Sequence, residues 1–298
     1  MSGEQPAYIP LPHSLADPRA AGAAVFDSIA ALYEQARPGY PPEAVADLRC
    51  GCGLPNNARI LEIGCGTGQL TRDLVSGGEA ICALEPGAAL AEIARGKLAS
   101  YPTVEVITAP FEDFEGVPAS YDLVVSATAF HWIDPDVGYS KAASLLKPGG
   151  WLALVTNTHA FGGTHTADPF SAAVRESHRA LAPETGDWSY PSAEQIQQAA
   201  NGGGDIAAVW ARVERKVADS PNVQALFEAP IVKTYPWIAT YSRNGYLDML
   251  ASQSSYALME RERRGEILDS IGRLVDLHLG GAVTKEYVCV VALAERTS

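Results

Sequence analysis

The chain is predicted to adopt an α/β fold with a doubly wound, seven-stranded, mostly parallel sheet. Three observations support this. Short apolar runs alternate with helical patterns across residues 58–157. The runs are almost continuously apolar, which is typical of parallel strands that are covered on both faces. The first run passes through a glycine-rich turn directly into a helix, as the first unit of such a sheet does.

Each element follows from its own pattern. Prolines bracket the early helices, because Pro38 stops one helix and Pro42 occupies the first turn of the next. The first strand is predicted as the short apolar run that ends at Glu62, and the others at 80–84, 104–107, 121–127, 151–156, 231–235 and 285–295. Helices with assignable limits are predicted at 26–36, 42–48, 88–98, 137–146, 171–181, 192–218, 243–252 and 259–279.

The alternation of strands and helices breaks once, which divides the chain into four predicted segments. Residues 1–22 carry four prolines and are expected to form an N-terminal arm. Residues 23–157 hold the α/β core, and 158–228 form a mostly helical insertion with a Gly-Gly-Gly interruption. Residues 229–298 return to the core with its last strands and contribute further helices.

The most informative motif is the run EIGCGTGQ at 62–69. An acidic residue at the strand end, Glu62, is followed by glycines at alternate positions, Gly64, Gly66 and Gly68. Glycine permits positive φ and lets a ligand approach the backbone, and the N–H groups of the next helix face the same place. The turn therefore predicts a nucleotide-like ligand. A glycine-rich turn without a ligand is the alternative.

The spacing of the glycines distinguishes between two ligands. The dinucleotide fingerprint G-x-G-x-x-G needs its third glycine at position 69, and Gln69 stands there. The observed spacing is G-x-G-x-G with an acid ahead of it. An acidic residue at the end of this strand suits a positively charged group of a ligand.

Later strand ends add further candidate contacts. Glu85 ends the second strand, where a carboxylate can accept both hydroxyls of a ribose. Phe111 and Glu112 follow the third strand and suit the face and the exocyclic amine of an adenine. Core packing is the alternative for Phe111, and Asp113 is the alternative carboxylate to Glu112. Ala127 and Thr128 follow the fourth strand, where backbone carbonyls can accept from an ammonium group.

The ordered motifs carry a specific resemblance. They are YEQARPGYP at 33–41, the glycine run, LEPG at 84–87, FED at 111–113, AFHW at 129–132 and LKPGG at 146–150. In this order and spacing the chain resembles class I S-adenosylmethionine-dependent methyltransferases, in particular the small-molecule enzymes of the trans-aconitate methyltransferase-like type. The likeness is strong over 24–158 and looser over the last ninety residues.

The resemblance implies a Rossmann-like core, S-adenosyl-L-methionine as cofactor, S-adenosyl-L-homocysteine as product and a helical lid over a small-molecule acceptor. Tyr33 and Arg37 are expected to hold the methionine carboxylate, and a surface pair at a helix end is the alternative. The family often has Asp where this chain has Pro110, which puts the adenine contact there in question. The cofactor residues implied are Tyr33, Arg37, Glu62, Gly64, Cys65, Gly66, Gly68, Glu85, Pro86, Phe111, Glu112, Ala127 and Thr128.

Histidines and large aromatics supply the remaining candidates. His131 lies beyond the fourth strand and can exchange a proton near neutral pH, so it is the main catalytic candidate; a structural residue packed under Trp132 is the alternative. His159, after the fifth strand, is a second candidate base or a polar lid residue. The residues expected to line an acceptor pocket, or else to form the lid's own core, are Trp132, Trp188, Tyr190 and Trp237.

Composition restricts the partners. The net charge of −13 argues against nucleic acid and against an anionic membrane surface. No apolar run of membrane-spanning length and no secretory leader are apparent, so a cytoplasmic enzyme is expected. Cys65, Cys82 and Cys289 are expected to be reduced small hydrophobes. Cys50 and Cys52 lack a second pair of Cys or His at zinc spacing, so a loop is expected there rather than a metal site. A homo-oligomer is an open alternative to a monomer.

The predicted reaction is transfer of a methyl group to an oxygen, nitrogen, carbon or carboxylate of a small acceptor. In-line displacement depends chiefly on proximity and on exclusion of water. Two alternatives remain. One is a cyclase or regulatory module that binds the cofactor without transferring methyl. The other is a nicotinamide-dependent oxidoreductase, against which Gln69 and Glu62 argue.

Overall fold

The structure is a computed structural model that describes residues 24–75, 78–160, 169–183, 192–201 and 223–297. Its strands are β1 (Arg59–Ile63), β2 (Ala80–Leu84), β3 (Val104–Ile107), β4 (Tyr121–Ala127), β5 (Leu146–Ala160), β6 (Ile231–Ser242) and β7 (Ala282–Glu295). They form one mixed sheet in the order β3-β2-β1-β4-β5-β7-β6. The predicted α/β class and the seven-stranded sheet are confirmed.

The helices have the following bounds. Before β5 they are α1 (Ala30–Ala36), α2 (Pro42–Gly51), α3 (Gln69–Leu74), α4 (Ala88–Leu98) and α5 (Pro135–Leu145). After β5 they are α6 (Pro169–Leu181), α7 (Ala193–Asn201), α8 (Val223–Leu226), α9 (Arg243–Ala251), α10 (Ser254–Ala257) and α11 (Arg261–Leu279). Short 3-10 turns cover Phe111–Asp113 and Phe130–Trp132.

The strand order reverses beside β1, which fixes where a ligand can bind. β1 pairs in parallel with β2 on one side and with β4 on the other, so that Ile63 lies opposite both Leu84 and Ser126. In open α/β sheets the crevice outside the carboxyl ends of the strands, at the point of reversal, is the ligand site. The glycine turn after β1 and the chain after β4 both leave the sheet there.

β5 is longer than predicted because its breaker residues sit in an irregular part of the ladder. Tyr121 pairs with Leu146 but Leu123 pairs with Trp151, so one residue on β4 lies opposite four on β5. The extra residues include Pro148 and Gly149, and Gly149 has φ of 74°. A bulge of this kind keeps the strand continuous through residues that usually end one.

β6 also runs past its predicted end at 235, through Pro236 to Ser242. Proline cannot donate a hydrogen bond to a neighbouring strand, so it is confined mainly to edge strands. β6 is the last strand in the sheet order and satisfies that condition.

The chain divides into two compact units. The first unit comprises Met1–Pro38, Thr158–Gln197 and Pro236–Val288, and the second comprises Gly39–Asn157, Gln198–Tyr235 and Cys289–Ser298. Each has its own buried apolar cluster, around Tyr256 and Ile271 in the first and around Leu61 and Val124 in the second. The predicted segments 1–22, 23–157, 158–228 and 229–298 stay predictions, and 1–22 lies outside the described residues.

Within the described ranges, no helix combines the length and the apolar character needed to cross a membrane.

Candidate functional site

The glycine turn of the second unit is built from three residues in left-handed conformations. Gly64, Gly66 and Gly68 have φ values of 69°, 58° and 81°. A Cβ atom on Gly64 would lie 2.4 Å from Cβ of Ala129, in the segment that follows β4. Gly64 is therefore required both for its φ and for the close approach of two strand ends. This is the position of the predicted nucleotide-like ligand.

Glu85 holds the turn from the end of β2. Its carboxylate is 5% exposed; Oε2 accepts from the backbone N–H of Gly66 at 2.9 Å, and Oε1 accepts from that of Gly87 at 2.8 Å. These two bonds tie the glycine turn and the start of α4 to the end of β2. The sequence predicted the strand-end acid, whereas its role in fixing the glycine turn was missed.

Other bonds join the same strand ends. The backbone N–H of Cys65 donates to the carbonyl of Leu84 at 2.9 Å. The Ser126 hydroxyl donates to the carbonyl of Ile63 at 2.9 Å. Burial raises the pKa of the Cys65 thiol well above its ordinary value, so this thiol stays protonated.

Glu62 is a buried acid beside the turn. It is 1% exposed, and its Oε2 has no hydrogen-bond partner within the described ranges. Burial, reinforced by the charges of Glu85 and Asp73, raises the pKa of Glu62 to about 7, although Thr71 opposes the shift. A cationic group placed here would meet an acceptor that the protein leaves unsatisfied.

The raised pKa gives a testable pH dependence. Between pH 4.5 and about 7 the folded protein keeps a proton on Glu62 that the unfolded chain releases, so stability falls as pH rises through this window. Glu62→Gln should remove up to about 3 kcal/mol of that fall. Denaturant unfolding at pH 5 and pH 8 measures it, with Glu92→Gln, an exposed acid, as control. Equal pH dependence in Glu62→Gln and wild type would contradict the assignment.

The chain after β4 is held in an uncommon conformation. Thr128 has φ of 56°, which is rare for a residue other than glycine. Its N–H donates to the carbonyl of Val155 at 2.8 Å, and its hydroxyl is 3.3 Å from the hydroxyl of Tyr40. Asn157 donates to the carbonyl of Gly39 at 2.9 Å. Tyr40 and Asn157 thus fix the segment 39–41 to the ends of β4 and β5, a role that the sequence did not reveal.

In the structure, two of the residues predicted to contact adenine make contacts within the protein, and the third is exposed. Phe111 is 3% exposed and belongs to the apolar core of the second unit, with the Lys141 ammonium 5.3 Å from its ring centre. Glu112 accepts from the backbone N–H of Asp134 at 3.1 Å, just before α5. Pro86 is exposed. The roles of these three residues toward adenine, and those of the Ala127 and Thr128 carbonyls toward an ammonium, stay predictions.

His131 is exposed, and its ring lies 5.1 Å from that of the half-buried Trp132 at a tilt of 41°. Both belong to the 3-10 turn that follows β4. The placement at the carboxyl edge of the sheet is as predicted from the order of strands, and an exposed imidazole is accessible to an acceptor.

In the first unit, Arg37 follows α1 and its guanidinium lies 5.1 Å from the ring centre of Tyr33. Its Nη2 donates to the carbonyl of Ser252 at 2.8 Å, and its buried Nε has no acceptor among the residues that the structure describes. A carboxylate oxygen placed beside this Nε–H would accept the hydrogen bond that the described residues do not provide. The pair stays a predicted site for the methionine carboxylate.

His159 and Trp237 both pack on Tyr287 of the first unit. The centre of the His159 ring is 5.1 Å from that of Tyr287, and Trp237 stacks on Tyr287 at 4.7 Å and 18°. Burial and the positive charges of Lys285 and Arg37 hold the pKa of His159 well below its ordinary value, so its imidazole is neutral at pH 7 and a weak base. Trp188 and Tyr190 lie outside the described residues.

No metal centre is apparent in the described part of the chain, where no three His, Cys, Asp or Glu side chains come together.

Comparison with known proteins gives the class of the domain. Residues 60–150 match the family model described as a methyltransferase domain. An uncharacterized methyltransferase of Mycobacterium bovis is 38% identical over 134 residues, which cover 45% of this chain and 52% of the relative. Another, from Bacillus licheniformis, is 41% identical over 145 residues, which cover 47% and 65%. The chain thus spans about half the length of the first relative and less than two thirds of the second.

Solved structures share the fold. A proposed type II methyltransferase of Anaeromyxobacter dehalogenans superposes with a TM-score of 0.56 at 22% identity, covering 87% of this chain and 97% of that one. Phosphoethanolamine N-methyltransferase 2 of Haemonchus contortus gives 0.51 at 15% identity, covering 97% and 62%. These structures show that the fold is shared, and residues 60–150 are similar in sequence to methyltransferase domains.

Proposed function

We propose that this protein transfers a methyl group from S-adenosylmethionine to a small-molecule acceptor. The observation that carries the proposal is the convergence of two buried carboxylates, Glu62 and Glu85, on the turn of left-handed glycines. The neighbouring fold from Haemonchus contortus was solved with S-adenosylhomocysteine, which supports the choice of cofactor.

The residues fit this cofactor better than a dinucleotide. The unsatisfied Oε2 of Glu62 suits the cationic amino-acid end of the cofactor, directly or through water. Glu85 ends β2 beside the turn, where a carboxylate can accept both hydroxyls of a ribose. A pyrophosphate at the same turn would face the buried acid Glu62, which disfavours a nicotinamide cofactor.

The chemistry requires positioning more than proton transfer. When bound, the cofactor would supply an electrophilic methyl on its sulfonium; a lone pair of the acceptor would form the new bond to that carbon in line, and the S–C electron pair would leave with sulfur. The protein then has to orient the two reactants and exclude water, which can lower the barrier by about 7–11 kcal/mol. Tyr40, Thr128 and Asn157 contribute by fixing the strand ends that border the turn. A general base is needed only for an acceptor that must lose a proton.

Binding and turnover test the proposal separately. Calorimetry with S-adenosylhomocysteine and with NAD should show binding of the first alone. Mass spectrometry should then detect S-adenosylhomocysteine released from S-adenosylmethionine over a panel of hydroxyl, amine and carboxylate acceptors. Binding without release over the whole panel would favour a cyclase or a regulatory module. Binding of NAD instead would overturn the proposal.

His131→Ala separates a catalytic role from a structural one. With an acceptor that must lose a proton, we expect the single-turnover rate to fall by ~10²–10⁴-fold. The affinity for S-adenosylhomocysteine and the melting temperature should change little, because the His131 side chain is exposed. His278→Ala, another exposed histidine on α11, is the matched control. A lower melting temperature and weaker cofactor binding, with the rate of the chemical step unchanged, would assign His131 to the scaffold.

Acceptor selection is assigned to residues 158–228 and to the helices of 243–279, which the parallel sheet does not require. Their described parts include α6, α9 and α11, whose apolar faces form the core of the first unit. Trp132, Trp237, Trp188 and Tyr190 favour an aromatic or apolar acceptor body. A bound acceptor that contacts neither segment would overturn this assignment.

The finer proposals follow from sequence and charge. A trans-aconitate methyltransferase-like small-molecule enzyme of the cytoplasm fits the ordered motifs. The net charge of −13 disfavours nucleic acid and anionic membranes as partners.

A further inference from the structure

One residue at the carboxyl edge of the sheet, in the second unit, has a strained backbone. Thr128 has φ of 56°, and threonine branches at Cβ, so its side chain crowds the backbone in this conformation. A left-handed conformation costs a residue other than glycine about five- to thirtyfold in a conformational equilibrium. Such strain persists only where the surrounding structure enforces it, and it concentrates at functional sites. The contacts that enforce it at Thr128 therefore bear on function.

Two hydrogen bonds restrain Thr128. Its backbone N–H donates to the carbonyl of Val155 at 2.8 Å, which extends the pairing of β4 and β5 by one residue. Its hydroxyl lies 3.3 Å from the hydroxyl of Tyr40, within hydrogen-bonding distance. The first bond fixes the peptide plane before Thr128, and the second restrains the direction of its side chain. Together they restrain φ, which is the rotation between that plane and the side chain.

Tyr40 is held firmly enough to act on a strained neighbour. Pro41 follows it and favours an extended backbone at the residue before a proline. The helix α2 starts directly after Pro41, and its inner face is buried. On the other side, the Asn157 amide donates to the carbonyl of Gly39 at 2.9 Å. The chain is thus anchored before and after Tyr40, so its hydroxyl can restrain Thr128 without moving.

The left-handed conformation of Thr128 places the next residue against the glycine turn. The Cβ atom of Ala129 lies 2.4 Å from where a Cβ on Gly64 would be. Rotation about φ of Thr128 moves every atom that follows it in the chain, Ala129 included. Because β1 and β4 are paired neighbours, the conformation of Thr128 sets the shape of the crevice at their carboxyl ends, where the cofactor is proposed to bind.

We propose that Tyr40 and Thr128 form a clamp that keeps the cofactor site in its binding shape before the cofactor arrives. Tyr40 is a positioning residue, which holds Thr128 in a conformation that threonine disfavours and thereby keeps Ala129 against the glycine turn. The inference rests on the proposed methyltransferase function and adds to it a residue that acts through Thr128. Without the clamp, only a small fraction of molecules would keep the binding shape, and the apparent affinity would fall by that fraction.

Alanine and glycine at position 128 distinguish the clamp from an ordinary hydrogen bond, since both remove the hydroxyl. Thr128→Ala keeps the backbone strain, so its affinity for S-adenosylhomocysteine should fall by at least about fivefold. Thr128→Gly relieves the strain, because glycine adopts positive φ readily, and it should bind within about threefold of wild type. Thr128→Ser keeps the hydroxyl for Tyr40 and should also bind within about threefold. Calorimetry measures the four affinities.

Glycine at position 128 should also suppress the effect of Tyr40→Phe. This substitution removes the hydroxyl that restrains Thr128, so by itself it should weaken binding by about as much as Thr128→Ala. In the Thr128→Gly background it should change the affinity by less than about twofold, because no strain remains to be held. A tyrosine that only supports the fold would cause the same loss in both backgrounds.

Unfolding of the ligand-free variants tests the strain without the cofactor. Thr128→Gly should melt at a higher temperature than Thr128→Ala, although glycine usually lowers stability relative to alanine. Ala119, an exposed residue before β4 with φ of 49°, is the matched control for strain at the opposite edge of the sheet. Ala119→Gly should raise the melting temperature and leave the affinity unchanged. Tyr101→Phe, at a half-buried tyrosine before β3, should bind as wild type does.

A Thr128→Gly variant that binds no more tightly than Thr128→Ala, or that melts below it, would overturn the clamp. A loss in Tyr40→Phe that persists in the Thr128→Gly background would do the same. If Tyr40→Phe does not fold, the three variants at position 128 decide alone. Wild type is titrated first: its failure to bind S-adenosylhomocysteine would refute the proposed function, whereas normal binding by wild type with equal affinities of the alanine and glycine variants would refute the clamp alone.

Discussion

Gly64→Ala should abolish measurable binding of S-adenosylhomocysteine and lower the melting temperature. At φ of 69° an alanine is strained by about 1–2 kcal/mol. Its Cβ would also lie 2.4 Å from Cβ of Ala129, so the ends of β1 and β4 would have to move apart. Because the ligand is expected between these ends, the displacement should affect binding more than folding. Calorimetry and thermal unfolding of the same variant measure both.

Gly96→Ala is the matched control. Gly96 is an exposed residue of α4, and a Cβ there meets nothing within 4 Å. Alanine in a helix is favoured over glycine by about 0.5–1 kcal/mol, so this variant should be slightly more stable and should bind normally. Wild-type affinity in Gly64→Ala would show that the turn is not the binding site.

The second, third and fourth strands were predicted from the sequence with the limits that the structure shows. Each is a short apolar run bounded by charged or turn-forming residues, and burial of most of β1, β2 and β4 leaves these strands little freedom in register. The acids at the ends of β1 and β2 and the glycines after β1 were found for the same reason. In these elements the local pattern and the tertiary environment favour the same structure.

The remaining elements depended on neighbours that the local sequence does not show. Pro148 and Gly149 are residues that usually end a strand, and β5 accommodates them through its bulged pairing with β4. Pro236 is tolerated because β6 lies at the sheet edge. The predicted helix 192–218 is described only as α7, Ala193–Asn201.

The site itself was predictable where function follows from position along a strand. It was not predictable where two distant segments meet. The hydroxyl of Tyr40 reaches Thr128 across 88 residues of sequence. The left-handed φ of Thr128 has no sequence signal either, because threonine rarely adopts it.

Glu85→Ala is expected to weaken binding of S-adenosylhomocysteine by about 1.5–3 kcal/mol, the range for a lost charged hydrogen bond. Two effects contribute. The variant loses the predicted acceptor of the ribose hydroxyls, and it also frees the N–H groups of Gly66 and Gly87 that Glu85 holds. Glu85→Gln should lose less, because its amide oxygen still accepts from one N–H group. Glu92→Ala, at an exposed acid on α4, should leave affinity unchanged.

A double-mutant cycle separates these two effects. Wild type and Glu85→Ala are each titrated with S-adenosylhomocysteine and with its 2′,3′-dideoxy analogue, which lacks the hydroxyls. If Glu85 binds the ribose, the substitution should weaken binding of the natural ligand by at least 1 kcal/mol more than binding of the analogue. If Glu85 acts only through the glycine turn, Glu85→Ala should weaken binding of the two ligands equally. The variant loses the same hydrogen bonds of the turn whichever ligand is bound. Equal losses would therefore refute the ribose contact and leave Glu85 as the residue that shapes the turn.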